Sequence, residues 1–462
     1  MRIVPAGEET MKKLIGIILS AALTVSMLAG CGGTSGSASD SKPSAEEAEE
    51  LTAEEAAEPA GEDIAESAEE AAVGQTDPTA QADMGKEADT DQDLMRSPSG
   101  DIASAPEFSG VNELSDDEVT EMDKAMRAYT PPADSPLINN ANNFYYYSQM
   151  NEIEQRLYDA MLMCASDPIT PDAVTAATMS MDPTSDDFRE ELNAAFWGLQ
   201  FDHPELFWLN NGPFSDGVEC SMQIGYYKEP ESDGTYNLYF WFPKPFETFE
   251  ERMEEFNSAV DTFMADIDLS QPDDQIALQI HDKLIHTVDF NYKYMTEDEG
   301  SGNNIAQTAY AALVKDAHDT PTCATSGGYA QAYVYLLQQA GIDAAVIVGS
   351  AGSSEKDEYI GGHAWTIVKL DDEWYETDPT WNDFGDLNME IYEDVMFSLE
   401  HGLYNLTTEE MTEGKSNSSD QAYDLGDSYV HYRANDERAL MPFYSKLMDL
   451  APQAAGTKYK LH

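Results

Sequence analysis

Apolar residues recur at helical spacing along two stretches in the middle of the chain. One runs from Phe249 to Ile267 and the other from Ile276 to Val288, with Pro272 between them. In both, apolar side chains return every three or four residues, which is typical of an amphipathic helix with one face against a core. A third helix is predicted from Phe188 to Leu199. It ends before Pro204, because proline interrupts helices.

Strand spacing appears on both sides of these helices. Met222 to Tyr226 and Tyr236 to Phe242 alternate apolar and polar positions, and Gly234 lies between them, which predicts a hairpin. Ile342 to Val348 is a continuous apolar run and predicts a buried strand, followed by a polar loop from Gly349 to Gly362.

A second hairpin follows that loop. His363 to Leu370 and Glu373 to Asp378 read as its two strands, joined by a tight turn at Asp371-Asp372. Beyond it, a closing amphipathic helix is predicted from Arg438 to Leu450.

The composition changes sharply before residue 139. Residues 32–135 are rich in Ala, Glu, Ser and Asp and nearly lack aromatic residues, so they cannot bury a core and are predicted to form a disordered acidic linker. Asp116 to Ala128 is the one part that has the composition of a short helix. The whole chain of 462 residues carries a formal charge of -64, which excludes nucleic acid as a partner because phosphates would be repelled.

The N-terminus has the features of an export signal. Met11-Lys12-Lys13 is basic, and an apolar run from Leu14 to Leu28 follows that is too short for a mature spanning helix. Leu28-Ala29-Gly30-Cys31 resembles the lipobox of bacterial lipoproteins, which implies lipidation of Cys31 and a signal peptide over residues 1–31. The alternative is a plain signal peptide with an incidental cysteine.

Cysteine usage leaves one question open. The chain has 4 cysteines: Cys31, Cys164, Cys220 and Cys323. In an oxidising exterior Cys164 and Cys220 have the option of pairing, and the alternative is two buried thiols.

The candidate chemistry lies between Cys323 and Asp378. Cys323 and Ser326 precede a predicted helix that carries Tyr329 and Leu336 on its apolar face. A thiol near a helix N-terminus meets unpaired N–H groups and the positive end of the helix dipole, which favour the thiolate.

The hairpin register brings the other two groups together. A two-residue turn pairs Leu370 with Glu373 and Trp365 with Asp378. His363 then shares a face with Trp365 and lies diagonally from Asp378, within roughly 7–8 Å between Cβ atoms. A cysteine, a histidine and an aspartate are the residues of acyl transfer by a thiol, with the imidazole as base and the carboxylate as its orienting partner.

Three motifs in this region resemble the bacterial transglutaminase-like superfamily. They are Gly328-Tyr329-Ala330-Gln331-Ala332-Tyr333, His363-Ala364-Trp365 and Trp374-Tyr375-Glu376-Thr377-Asp378-Pro379-Thr380-Trp381. The resemblance covers roughly Asp274 to Asp383. It implies a papain-like core of the α+β class, with His363 as base and Asp378 as orienting residue.

The expected organisation follows from this resemblance and from the composition. We expect a signal peptide over 1–31, a disordered linker over 32–135 and a mixed α/β N-terminal extension over 139–270. A transglutaminase-like domain over 274–400 and a C-terminal extension over 401–462 complete the chain.

One departure from the family pattern concerns the nucleophile. The family places its cysteine as Cys-x-Gly-Tyr, and counting back from Gly328-Tyr329 that position is Ser326, while Cys323 lies three residues earlier. Either Cys323 reacts from a remodelled turn, or the nucleophile is replaced by Ser326, a weaker one because its hydroxyl lacks the accessible pKa of a thiol.

Every one of these residues also has a purely structural interpretation. Cys323 as an inert residue, Ser326 as a helix cap, His363 as an edge-strand histidine and Asp378 as a turn residue would explain each alone. Their order and spacing together favour a catalytic site that is active or descended from an active one.

Other polar residues receive structural interpretations. His203, beside Pro204, is expected to pack or to form a hydrogen bond. His281 and Asp282 are adjacent on a predicted helix and are not expected to share a face. Cys323, His363 and Asp378 offer only three ligands scattered along the sequence, so they do not predict a metal site. No cofactor is expected.

The predicted function is acyl transfer or hydrolysis on protein or peptide amides through Cys323, His363 and Asp378. The predicted location is the outer face of a bacterial membrane, reached only through the lipid anchor. The alternative is a catalytically inactive binding module in which Ser326 replaces the nucleophile.

Overall fold

The structure is a computed structural model of the full chain. It describes residues 111–128, 144–169, 174–211, 220–228, 234–243, 246, 248–291, 304–314, 322–353, 361–383, 400–417 and 429–461. The predicted signal peptide, Cys31 and most of the predicted linker lie outside the described residues.

The described residues form ten α-helices and twelve strands. The helices are α1 (Asp116–Ala128), α2 (Tyr145–Gln149), α3 (Glu152–Ala165), α4 (Asp186–Asp202), α5 (Phe249–Met264), α6 (Asp273–Ile285), α7 (Ala309–Leu313), α8 (Ser326–Gln339), α9 (Thr408–Glu413) and α10 (Ser445–Leu450). The strands are β1 (Asn112–Glu113), β2 (Val174–Met179), β3 (Asn210–Asn211), β4 (Cys220–Ser221), β5 (Gln223–Lys228), β6 (Tyr236–Trp241), β7 (Val288–Phe290), β8 (Thr322–Ala324), β9 (Ala344–Ser353), β10 (Gly361–Leu370), β11 (Glu373–Thr377) and β12 (Tyr429–Arg433).

The N-terminal sheet has the strand order β1-β5-β6-β2. β5 and β6 pair antiparallel, which confirms the predicted hairpin. Alternate residues of β6 divide between two layers: Leu238 and Phe240 lie in the main core, while Tyr239 packs under α1 with Leu114.

The predicted linker is shorter than the composition indicates. Residues 111–128, inside the stretch expected to be disordered, form β1 and α1, as the helical composition of that part suggested. α1 is ordered because Val119, Met122 and Met126 pack on the outer apolar face of the N-terminal sheet. Its first turn is acidic, which interacts favourably with the helix dipole.

The second sheet has the strand order β11-β10-β9-β12 and carries the candidate site. β10 and β11 are joined at Asp371-Asp372, and Leu370 pairs with Glu373, which confirms the predicted turn and register. Asp371 adopts a φ of 53°, a left-handed conformation that aspartate tolerates better than most residues.

The loop predicted from Gly349 to Gly362 begins later in the structure than predicted. β9 continues to Ser353, because it pairs with β10 on one side and with β12 on the other. Gly349 lies opposite both His363 and Arg433, and a Cβ there would approach the Tyr432 carbonyl oxygen to 2.0 Å. Glycine at this position marks a close approach of two backbones, and the sequence pattern alone does not distinguish that from a loop.

The expected boundary at residue 401 does not separate two structural units. β12 completes the second sheet from beyond it, and Tyr444, Leu447 and Met448 belong to the same apolar core as α8. The closing helix is also shorter than predicted: a 3₁₀ turn at Pro442–Tyr444 precedes α10, with proline in its first turn, where its missing N–H costs nothing.

α8 is the central element of the fold. Its residues from Ser326 to Gln338 are all buried, and it packs against β9 and β10 on one side and α6 and α7 on the other. A helix that is buried all round fixes the position of its first residue firmly. None of the described helices is both long and apolar enough to cross a bilayer.

Replacing Gly349 with alanine should disturb the β9–β12 pairing. The new Cβ would collide with backbone rather than with a flexible side chain, so we expect the free energy of unfolding to fall by about 1–3 kcal/mol. Urea denaturation followed by circular dichroism measures this change. An unchanged midpoint would show that β12 does not pack against β9 at this position.

Candidate active site

The four residues predicted from the sequence to form the active site lie around the start of α8 and on the hairpin of β10 and β11. Ser326 is the first residue of α8, and Cys323 lies on the preceding strand β8. His363 lies near the start of β10, and Asp378 follows directly after β11.

His363 and Asp378 are in direct contact. His363 Nε2 lies 2.7 Å from Asp378 Oδ2, and both side chains are buried. This confirms the predicted placement on one face of the hairpin. Asp378 Oδ1 accepts hydrogen bonds from the backbone N–H groups of Thr380 at 3.0 Å and Trp381 at 3.2 Å, which fixes the carboxylate against the turn that follows.

A second imidazole joins the same carboxylate. His431 Nε2 lies 2.9 Å from Asp378 Oδ2, and His431 is buried on β12. Sequence reasoning did not single out this residue, because it lies 53 positions after Asp378 and belongs to no motif. Only knowledge that β12 joins the second sheet would have placed it.

The charges of the cluster are interdependent. Burial alone would raise the pKa of the Asp378 carboxyl, but the electrostatic attraction of His363 for the carboxylate and the hydrogen bonds from both imidazoles hold that pKa well below its usual value. Burial lowers the pKa of His431, although the hydrogen bond to Asp378 opposes the shift. The carboxylate is therefore ionised near neutral pH, and His431 tends toward its neutral form.

Ser326 and Cys323 lie in different environments. Ser326 is fully buried, and its Oγ has no hydrogen-bond partner among the described residues. The Nδ1 atom of His363, on the strand against which α8 packs, likewise has none within that part of the chain. Cys323 is exposed, with its Cα opposite that of Asp289 on β7.

Aromatic rings enclose the base. Trp381 stacks on His363 with ring centroids 4.9 Å apart, and Trp365 lies parallel to it at 6.1 Å. Trp365 is fully buried, and Trp381 is partly buried at the edge of the core. These rings restrict the orientation of the imidazole.

A second row of side chains beside His363, Asp378 and His431 also forms polar contacts. Trp365 Nε1 donates to Glu376 Oε2 at 2.6 Å, and Arg433 pairs with Glu376 Oε1 at 2.5 Å. Trp365, Glu376 and Arg433 each lie two residues from His363, Asp378 and His431 respectively, so both rows project from one face of the sheet.

Known proteins give a partial match to this chain. The model of the transglutaminase-like superfamily matches residues 262–379, which include Ser326, His363 and Asp378. Residues 262–379 form a transglutaminase-like domain. The match begins inside α5 and ends before β12, so His431 lies outside it.

Among solved structures, one titled "Crystal structure of a TGase" is similar at 12% identity and a TM-score of 0.21. The similarity covers 40% of this chain and 56% of that chain, so it extends over little more than half of that protein. No curated protein matches the sequence.

A second imidazole cluster connects α6, inside the matched residues, with His401, which lies beyond them. His281 Nδ1 and His401 Nε2 lie 3.0 Å and 2.7 Å from Asp282 Oδ1. The structural interpretation of His281 and Asp282 agrees with these contacts: His281 Nδ1 reaches the carboxylate of its sequence neighbour, and His401 reaches the same oxygen from outside α6.

The hydrogen atoms of this second cluster can be assigned from its partners. Asn382 Oδ1 accepts from the Leu403 N–H at 2.9 Å, so its Nδ2 donates to His281 Nε2 at 3.1 Å. His281 must then carry its proton on Nδ1 and donate it to Asp282. The side chains of this cluster and those of His363, Asp378 and His431 lie close enough together to bind a metal ion. In the cluster of His281, Asp282 and His401, both nitrogens of His281 form hydrogen bonds within the protein.

Two other polar residues are placed as follows. His203 is buried and its Nδ1 lies 2.9 Å from Glu205 Oε1, which confirms its predicted hydrogen-bonding role. Cys164 is buried on α3, and the side chain of Cys220 lies outside the described residues, so the pairing of these two cysteines stays a prediction.

The depressed pKa of Asp378 predicts a pH-dependent stability. Its ionised form is favoured in the folded state, so its contribution is fully present above the unfolded pKa of about 3.9 and is lost as the pH falls through the lower folded value. Asp378→Asn should therefore be less stable than the wild type at pH 7, and the difference should shrink below about pH 4.

Thermal unfolding of both proteins between pH 3 and pH 7 measures this difference. Asp372→Asn, in the exposed turn of the same hairpin, serves as the control for a general change in charge. A constant difference across the range would contradict the assignment of the ionised carboxylate to the folded site.

Proposed function

We propose that the transglutaminase-like domain catalyses acyl transfer or hydrolysis on peptide or amide substrates through Ser326, His363 and Asp378. The observation that carries the proposal is a pair of buried polar atoms, Ser326 Oγ and His363 Nδ1, that lack hydrogen-bond partners within the described residues. A buried polar atom without a partner costs about 1–3 kcal/mol, so each one calls for an explanation, and a catalytic role is one such explanation.

The tautomer of His363 supports this assignment. A carboxylate oxygen can only accept, so the short contact with Asp378 Oδ2 places a proton on His363 Nε2. In the neutral ring Nδ1 then carries the lone pair, and it is the atom that removes a proton from the nucleophile.

The proposed reaction conserves protons at each step. The Ser326 hydroxyl proton passes to His363 Nδ1 while Oγ forms a bond to the substrate carbonyl carbon. The tetrahedral intermediate collapses, the carbon–nitrogen bond breaks, and the leaving amine takes the proton from His363. Water or a second amine then attacks the acyl-serine, with the same imidazole transferring the proton.

The thiol route through Cys323 is the alternative for the nucleophile. Cys323 lies three residues before α8 and is exposed, whereas Ser326 is at the buried helix N-terminus where the family pattern places its cysteine. The position favours Ser326, and the chemistry favours Cys323, because a thiol ionises far more readily than a hydroxyl.

A binding module without catalysis is the second candidate function. It is favoured by the burial of the whole cluster: Ser326, His363 and Asp378 are each at most 1% exposed. An amide bound at the site without an attack by Ser326 would use the same two unpartnered atoms as hydrogen-bond donor and acceptor.

Covalent labelling separates these possibilities. A fluorophosphonate probe should label the wild type and Cys323→Ala to the same extent but should not label Ser326→Ala or His363→Ala, because only Ser326 is activated by the imidazole. Intact-protein mass spectrometry measures the adduct. Labelling that depends on Cys323, or no labelling at all, would contradict the serine mechanism.

Ser326→Cys extends the same test to a thiol. Combined with Cys323→Ala, it should react with iodoacetamide at pH 6–7 at least about tenfold faster than Cys323 does in the wild type, because a cysteine next to His363 and the α8 N-terminus is stabilised as thiolate. A rate no higher than that of Cys323 would show that the start of α8 does not face the base, and both candidate functions would lose their support.

We also infer that the protein is a lipoprotein on the outer face of a bacterial membrane, where it meets protein or peptide substrates. The support is the basic start, the apolar run and Leu28-Ala29-Gly30-Cys31. The acidic composition of residues 32–110 supports an extended tether between the anchor and the folded part.

Cys31→Ser should abolish membrane attachment. In Triton X-114 partition of the expressed full chain, the wild type is expected in the detergent phase and the variant in the aqueous phase, because a lipid chain inserts into the apolar interior of the detergent micelles. Cys323→Ser, at an exposed cysteine, should partition as the wild type does. An unchanged distribution of Cys31→Ser would exclude the lipid anchor.

A further inference from the structure

We propose that His431 is a positioning residue of the candidate active site, which holds the Asp378 carboxylate in the orientation that presents His363 to the nucleophile. The proposal rests on the proposed acyl chemistry at Ser326. It adds a residue from β12, outside the part of the chain that matches the transglutaminase-like superfamily.

The first argument is the number of donors around Asp378. Oδ1 accepts from two backbone N–H groups, those of Thr380 and Trp381, and Oδ2 accepts from His363 and His431. The carboxylate is fully buried, and four donors from the described part of the chain surround it. Without His431, Oδ2 would lose one of these two donors, and the carboxylate, still held at Oδ1, would lose the contact that sets the position of Oδ2 opposite His363.

The second argument is the protonation state of the two rings. Both Nε2 atoms face an oxygen that can only accept, so both carry a proton. The Nδ1 atoms of both rings are buried and have no partner within the described part of the chain. His431 therefore acts on the site as a neutral N–H donor, while His363 is the ring on the strand that faces α8.

The third argument is the way in which β9 lets the two histidines meet. β9 lies between their strands, and it presents only Gly349 and Ala351 at the level of the cluster. The rings of His363 and His431 therefore approach across it, with centroids 5.6 Å apart.

The His431 ring also packs against the two tryptophans that enclose His363. His431 contacts Trp381 at 4.7 Å and Trp365 at 5.1 Å between centroids, both with edge-to-face geometry. Trp381 is the ring that stacks on His363. His431 thus constrains the base both through Asp378 and through the indole that covers it.

Two variants separate the hydrogen bond from the ring. His431→Gln keeps an N–H donor at a similar distance along the side chain and does not titrate, whereas His431→Leu keeps the bulk and removes the donor. We expect His431→Leu to lower kcat for an activated peptide ester about 10- to 100-fold with KM changed less than about threefold, since a small misplacement of the base costs that much. His431→Gln should recover most of the rate.

A second readout does not depend on the natural activity. In the Ser326→Cys, Cys323→Ala background, His431→Leu should slow alkylation by iodoacetamide about tenfold and His431→Gln should not, because the thiolate is stabilised only by a correctly placed imidazole. Urea denaturation of each variant shows whether it folds, and His431→Gln serves as the test if His431→Leu does not.

The outcomes distinguish the two proposals. If the engineered thiol is no more reactive than Cys323, the proposed function fails. If that thiol is reactive and both His431 variants leave its rate unchanged, the function stands and the role of His431 is wrong. If both variants slow it equally, His431 acts through its ring and not by donating to Asp378, which also overturns the proposal.

Discussion

The buried carboxylate of Asp378 is the interaction on which the site depends. A carboxylate without hydrogen bonds would be too costly to keep ionised in the core, so its four donors are a condition for the fold as well as for chemistry. Those donors come from three places: the turn after β11, strand β10 and strand β12. The second sheet must therefore be complete before the carboxylate is stable in its charged form.

The parts of this arrangement that follow local rules could be predicted from the sequence. The Asp371-Asp372 turn fixes which residues of β10 face those of β11, and the period of two then places His363 and Asp378 on one side. The helices α4, α5 and α6 follow from apolar spacing. Counting back from Gly328-Tyr329 also identified Ser326 as the residue at the start of α8.

The remaining parts depend on contacts between distant segments. His431 is added by a strand that no motif announces, and β9 runs on through Gly349 because a second strand pairs with it there. A glycine in a polar stretch has the same local signature in a loop and in a close strand pair. The contact between His401 and Asp282 is of the same kind, since these two residues lie 119 positions apart.

The charge of the cluster connects its structure with its proposed chemistry. With both rings neutral, Asp378, His363 and His431 carry one negative charge in a buried site. Transfer of the Ser326 proton to His363 makes the cluster neutral, so the charge that develops on the base is matched by one already fixed beside it, and no solvent has to rearrange. A second protonated ring would leave a net positive charge without a counterion, and burial disfavours that form at His431. One carboxylate can therefore balance the charge of only one protonated imidazole. His363 is the ring that takes the proton, because its Nδ1 lone pair lies on the strand against which α8 packs.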